Sequence, residues 1–218
     1  MKQKKPNQYN SNMSDHYSST EQGEQSFAFH PYNVLLILTL FSITALFLAF
    51  SVSYMYSRIE TNVPPVELPA IFIFNTLILI GSSGTMAWAN RSYRRDETKN
   101  YQLALGATIA LSLIFMVAQY IGWSQLFQQE IFINHSTTAS YLYLISFMHF
   151  LHIIAGLPFL VLFLRTAYLR MKEPVSVLVY FSDPEKRLKL RLLTIYWHFL
   201  DALWIYLVFF FWINYLIY

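Results

Sequence analysis

Cysteine is absent from the 218 residues of this chain. No disulfide framework, thiolate metal site or catalytic thiol can therefore be built. Charge is scarce as well: 12% of the residues are charged, about half the share of roughly a quarter usual in a soluble domain. Apolar residues make up 56% and aromatics 18%, so lipid rather than water is the expected surrounding of most of the chain. The formal net charge of +3 is too small to argue for a nucleic-acid partner, and none is expected. No sequence repeat relates one part of the chain to another, which argues against a transporter built from inverted repeats.

The first thirty residues differ from the rest. They are rich in Gln, Asn and Ser, carry Lys2, Lys4 and Lys5, and contain no apolar run. They do not have the form of a cleavable signal peptide, and they cannot bury enough surface to offset the entropy of ordering. Residues 1–30 are expected to be a flexible cytoplasmic tail, and 31–218 a membrane domain.

Five apolar blocks follow, at Tyr32–Tyr56, Leu68–Ala89, Leu103–Trp123, Ser140–Leu164 and Leu192–Tyr218. Each is about 20 residues or longer, enough for a helix to cross a hydrocarbon core of about 30 Å. A sheet edge in lipid would leave backbone groups unpaired, so the expected fold is all-α, a bundle of five transmembrane helices. The basic residues set the orientation. Lys2, Lys4 and Lys5, then Arg91, Arg94, Arg95 and Lys99, then Arg165, Arg170, Lys172, Lys186, Arg187, Lys189 and Arg191 all fall on one side if the helices alternate, and only Arg58 falls on the other. That places the N-terminus inside and the C-terminus outside. The segment 165–191 reads as the longest connection, with Ser176–Phe181 as a short strand or hairpin arm ended by Asp183-Pro184.

Few polar side chains lie deep in the blocks: Asn75, Gln119, His149, His152, His198 and Asp201. His149 and His152 are three residues apart, so they share a face of the fourth helix, and His198 and Asp201 have the same spacing on the fifth. Both pairs come out about ten residues into their helices, at similar depth. One reading is an interhelical network that fixes register; the others are a metal or haem site and a direct role in proton movement. An ionised Asp at this depth costs about 2.5–3.5 kcal/mol on insertion scales. No Lys or Arg is available there, so His149 or His152 is expected to lie within hydrogen-bonding reach of His198 or Asp201, directly or through one water. Gly81-Ser82-Ser83-Gly84 and Gly156 read as small residues that allow close helix packing, together with Asn75 on the second helix. Trp88, Trp123, Tyr215 and Tyr218, near the block ends, read as interfacial anchors. Arg187 and Arg191, just before the fifth block, are placed for lipid phosphates.

The last block carries Tyr196-Trp197-His198-Phe199-Leu200-Asp201-Ala202-Leu203-Trp204, which resembles the YWHFVDxxW signature of haem-copper oxidase subunit III. In the fourth block, His149-Phe150-Leu151-His152-Ile153-Ile154-Ala155-Gly156 resembles that family's HxxHVxxG. In the second, Leu68-Pro69, Asn75-Thr76-Leu77-Ile78-Leu79, Ser83-Gly84-Thr85-Met86 and Trp88 resemble LPLxNTxxLLxSxxTxxWA. Gln119-Tyr120 stands near a similar family Gln. The likeness covers about 32–218. Two positions depart from it: Ser42-Ile43-Thr44-Ala45-Leu46-Phe47 has no acid where the family has SE-x-x-FF, and Arg191 stands near where the family tends to have a Glu before YWHF.

The resemblance implies a five-helix bacterial form of subunit III in the plasma (inner) membrane. It implies a chain with no redox centre or metal of its own, packed on the catalytic subunit I, with subunit II, and further small subunits or a respiratory supercomplex, as other partners. Haem and copper would sit in those partners. This chain would hold phospholipid, with Arg187, Arg191 and Trp197 as lipid contacts, and support proton uptake and turnover stability during oxygen reduction with a cytochrome c or quinol donor. Two other readings stay open: a subunit III-like component of a nitric oxide reductase, and a haem b electron-transfer protein with His149 or His152 facing His198. A small transporter or proton channel is disfavoured, because Asp201 is the only deep acid.

Overall fold

The computed structural model describes residues 31–134 and 136–217, with only the backbone at Pro174. The expected tail, 1–30, and the anchor Tyr218 lie outside the described residues. The described residues form six helices and no strand: α1 (Pro31–Thr61), α2 (Ala70–Arg94), α3 (Thr98–Gln128), α4 (Thr137–Arg170), α5 (Pro174–Ser182) and α6 (Pro184–Leu216). All but α5 are long and apolar enough to cross a membrane. The chain divides into two units within α1, at Ser42 and Ile43. In the described part of the first, Leu35, Ile37, Leu38 and Phe41 are exposed. There Thr39 and Ser42 donate to the carbonyls of Leu35 and Leu38, 2.8 Å in each case, so their hydroxyls are satisfied inside the helix.

In the second unit, α2 and α3 form a close hairpin. The link is only Arg95-Asp96-Glu97, with Asp96 in the left-handed region at φ 57°. Asp96 N–H and Glu97 N–H return to the carbonyls of Tyr93 and Ser92, which closes the end of α2 in a Schellman motif. The end of α3 repeats it: Glu130 at φ 60° donates to Phe127, and Ile131 donates to Leu126. Two polar pairs tie the hairpin within the bundle. Asn75 Nδ2 donates to Gln119 Oε1 at 2.9 Å, and the hydroxyls of Thr85 and Thr108 lie 2.8 Å apart.

The helices run well past the apolar blocks. Arg91 and Arg94 belong to the last turn of α2, Arg165 and Arg170 to α4, and Lys186, Arg187, Lys189 and Arg191 to the start of α6. The supposed long connection 165–191 is therefore mostly helix, with a true α4–α5 link of residues 171–173.

The strand expected at Ser176–Phe181 is a correction: the segment is α5. Its β-branched run suggests a strand, but burial follows a helical spacing. Tyr180 and Phe181 are buried and Val177 is partly so, whereas Val175, Leu178 and Val179 are exposed. Tyr180 and Phe181 pack into Tyr93 and Tyr101, and Tyr93 Oη donates to the Tyr180 carbonyl at 3.1 Å. Asp183 then caps α6 by accepting from the N–H groups of Glu185 and Lys186.

Candidate functional site

The residues that carry chemistry converge where α6 crosses α2 and α4. In the first turn of the motif, Tyr196 Oη donates to the His152 carbonyl of α4 at 2.9 Å, while Trp197 Nε1 donates to Ser82 Oγ of α2 at 3.0 Å. His198 Nδ1 lies 2.6 Å from Ser83 Oγ. One turn on, Asp201 is buried and its Oδ2 has no hydrogen-bond partner. One turn further, Trp204 stacks on Phe72 of α2 (5.8 Å, 12°) and meets Phe115 of α3 edge-on (5.1 Å, 90°). Four side chains of one nine-residue stretch thus reach three other helices.

His149 occupies the core. It is fully buried, and its ring lies 5.1 Å from Trp204, 6.1 Å from Phe115 and 6.5 Å from Phe47. Neither ring nitrogen has a hydrogen-bond partner. His152, one turn on, takes its contact from its own helix, with Nδ1 2.6 Å from the Met148 carbonyl, and leans on Phe47.

Three expectations are corrected here. First, neither His149 nor His152 hydrogen-bonds directly to His198 or Asp201; His198 meets Ser83 instead, because that face of α6 is turned to α2 while His149 looks into an aromatic box. Second, Trp197 cannot be a lipid contact in this chain, since it is 2% exposed and its N–H is bound to Ser82. Third, Gly81 and Gly84 are not forced by close approach. Both are exposed; a Cβ at Gly84 would meet nothing within 4 Å, and one at Gly81 would meet only Leu111 at 3.7 Å. At Gly156 a Cβ would stand 2.8 Å from Trp197 and 2.9 Å from Tyr196, so the small residue is needed there. Asn75 is fully buried and held by Gln119. Arg187 and Arg191 are exposed on the first turns of α6.

A haem between His149 and His198 does not fit this packing: the three aromatic rings that enclose His149 leave no room for a macrocycle, and His198 is turned to Ser83. Among the described residues, no three of His, Asp and Glu converge in a metal-binding group. The residues whose contacts the sequence reading missed are Ser82 and Ser83, taken only as small packing residues, and Trp204. A signal existed for the serines: a hydroxyl deep in a membrane helix either returns to its own carbonyl or finds a partner across the interface.

These features define a polytopic helical membrane protein in which one motif-bearing helix organises the bundle. Residues 16–215 match the family described as cytochrome c oxidase subunit III. Relatives named cytochrome c oxidase subunit 3 occur in Yarrowia lipolytica (29% identical over 188 residues, 82% of this chain and 65% of the relative), in Papio hamadryas (29% over 147 residues, 67% and 50%) and in Synechocystis (26% over 175 residues, 78% and 70%). The chain belongs to the cytochrome c oxidase subunit III family. It spans about half to two thirds of the length of the first two of these relatives.

Proposed function

We propose that this chain is the non-catalytic subunit III of a bacterial haem-copper terminal oxidase, embedded in the plasma membrane with its N-terminus inside. The observation that carries this reading is the family match across 16–215 joined to the placement of its α6 motif, whose aromatic and polar side chains organise the bundle. In this role the chain packs on the catalytic subunit I, beside subunit II, and aids proton uptake and survival of the enzyme during oxygen reduction. The partners hold haem and copper. The exposed apolar faces of α1, α4 and α6 suit contact with lipid or other subunits. A cavity of about 350 Å³ lined by Leu68, Ile73, Thr76, Ile205, Phe209 and Trp212 suits an acyl chain, and Arg187 and Arg191 suit lipid phosphates.

Purification of the tagged chain from its own membranes tests the proposal. The expected result is co-purification of a subunit with two haems and copper, and an enzyme that, without this chain, starts at a near-normal rate but loses activity during turnover. A Soret band belonging to this chain alone, or a nitric oxide reductase as the stable partner, would overturn it.

A further inference from the structure

Helix α5 is apolar on both faces. From Val175 to Phe181 it holds no charged residue. Tyr180 and Phe181 are buried on the tyrosine floor of α2 and α3, whereas Val175, Leu178 and Val179 are 63–73% exposed. At about 100° per residue these last three form one stripe, opposite the buried one. A helix that is hydrophobic all round is a buried helix, so the outer stripe is built to be covered.

Lipid is the first candidate for that cover, and the height of α5 argues against it. The last apolar block begins at Leu192, nine residues after Asp183, the cap that joins α5 to α6. At about 1.5 Å per residue those nine lift the cap about 14 Å above the hydrocarbon core. The headgroup layer on each side is only about 5–7 Å thick, and an ordinary tilt of about 20° takes little from the rise. The intervening turns of α6 agree, since they carry Glu185, Lys186, Arg187 and Lys189. On the other flank α4 continues past its own apolar block through Arg165–Arg170, about 9 Å more. An exposed apolar stripe beyond the headgroups calls for protein.

The chemistry beside the stripe narrows the partner. A groove of about 530 Å³ runs between the end of α4, α5 and the start of α6, with Leu169, Val175 and Val179 along it and Arg170, Lys172 and Lys186 as its cations. Lys186 is already engaged: its ammonium pairs with Asp183 at 2.9 Å and stands over the Tyr180 ring, 4.6 Å from the centroid. Arg170 and Lys172 are exposed, and among the described residues neither is in an ion pair. Glu173 is the single acid lining the groove, so its rim is net positive. The complement of an apolar stripe beside a cationic rim is an amphipathic helix with acidic flanks, bound as a helix in a groove.

We propose that the outer face of α5 and the adjoining groove are the docking surface for such a helix, carried by a partner protein at the basic end of the bundle. Apolar side chains of the partner cover Val175, Leu178 and Val179, and its acidic flank meets Arg170 and Lys172. The surface is defined by this chain alone, so the proposal holds or fails separately from the oxidase reading.

Photo-crosslinking in intact cells, with the full chain in its own membranes, tests it. A benzophenone side chain introduced at Leu178 should form a protein adduct. Mass spectrometry should map the adduct to a segment with apolar residues at helical spacing, flanked by Asp or Glu. Arg170→Glu combined with Lys172→Glu should lower the yield about tenfold, and replacing the mapped acids of the partner by Lys should restore it. All three positions are exposed, so the changes leave the fold intact. Adducts to lipid alone, to a second copy of this chain or to a segment without acids overturn the proposal. So do the absence of any adduct and a yield that charge reversal leaves unchanged. The chain has no cysteine of its own, so a spin label on Val179→Cys gives an independent reading of height. With the purified full chain in lipid vesicles, that label should collide more with a water-soluble nickel chelate than with oxygen; the reverse would place α5 in lipid and overturn docking.

Discussion

Alanine at position 156 should destabilise the bundle by about 2 kcal/mol, and the structure shows where that figure comes from. The new methyl would stand 2.8 Å from Trp197 Cζ3 and 2.9 Å from Tyr196 Cε1, both well inside contact distance. Neither ring is free to move aside. Trp197 is pinned by its bond to Ser82, and Tyr196 by its bond to the His152 carbonyl. Overpacking of this kind costs about 1–3 kcal/mol, and losing the Trp197–Ser82 bond adds roughly 0.6 kcal/mol on the membrane scale. The better helix propensity of alanine returns up to about 1 kcal/mol. Gly84→Ala supplies the control, since nothing lies within 4 Å of its added methyl and only the propensity gain remains. Reversible unfolding in mixed micelles, followed by helical circular dichroism, should separate the two variants by about 3 kcal/mol in opposite directions from wild type. Trp197→Phe removes the ring edge that the methyl meets, so adding it to Gly156→Ala should recover part of the loss, a coupling that distant sites do not show. Equal stabilities for Gly156→Ala and Gly84→Ala would refute the close-approach argument.

Three further outcomes can be measured in the same way. Glu130 holds a left-handed φ of 60° at the end of α3, so Glu130→Gly should raise stability by about 1 kcal/mol by relieving that conformation; a loss would mean that its side chain holds the turn. A double-mutant cycle on Asn75→Leu and Gln119→Leu should give a coupling of about 0.6 kcal/mol, with about 1.7 kcal/mol as a ceiling, and a coupling of zero would leave their 2.9 Å bond without energetic meaning. The Asp183 carboxyl is held below its ordinary range by the Lys186 side chain and by the N–H groups of Lys186 and Glu185. A depressed acid contributes stability that is present above its unfolded-state pKa and fades as pH falls through the folded one. Acid titration should therefore loosen the α5–α6 junction as pH falls from the usual carboxylate range to below it, and Asp183→Asn should flatten that part of the profile.

The five spans were legible because each needs about 20 apolar residues and the lipid forbids most alternatives. Their ends were not, since hydropathy falls where the membrane ends whereas hydrogen bonding continues. Arg165 and Arg170 extend α4, and Lys186 to Arg191 open α6 behind the Asp183 cap. The segment 176–181 misled for a related reason. Val175, Val177 and Val179 alternate as a strand would, yet the burial of Tyr180 and Phe181 is decided by the aromatic floor of Tyr93 and Tyr101, which no local pattern reveals.

At the site, the sequence identified which polar groups are deep but not which of them meet. Spacing places His149 with His152, and His198 with Asp201, on common faces; it carries no information about which neighbouring helix each face confronts. The answer lies in the consecutive order of the α6 motif. Residues 196, 197 and 198 step around the helix by about 100° each, so Tyr196 falls toward α4 and Trp197 and His198 toward α2. Asp201 lies one turn above His198, and Trp204, one turn above Asp201, drops into the aromatic layer against His149. Pairing Asp201 with His149 would require α6 to turn that face toward α4, which would withdraw Trp197 from Ser82 and push Tyr196 away from the His152 carbonyl. Two interhelical bonds would be exchanged for one. The packing of Trp197 against Gly156, where nothing larger than hydrogen fits, opposes the same rotation. The motif thus reads as a set of angular constraints on a single helix, and the glycine across from it is what holds those constraints in register.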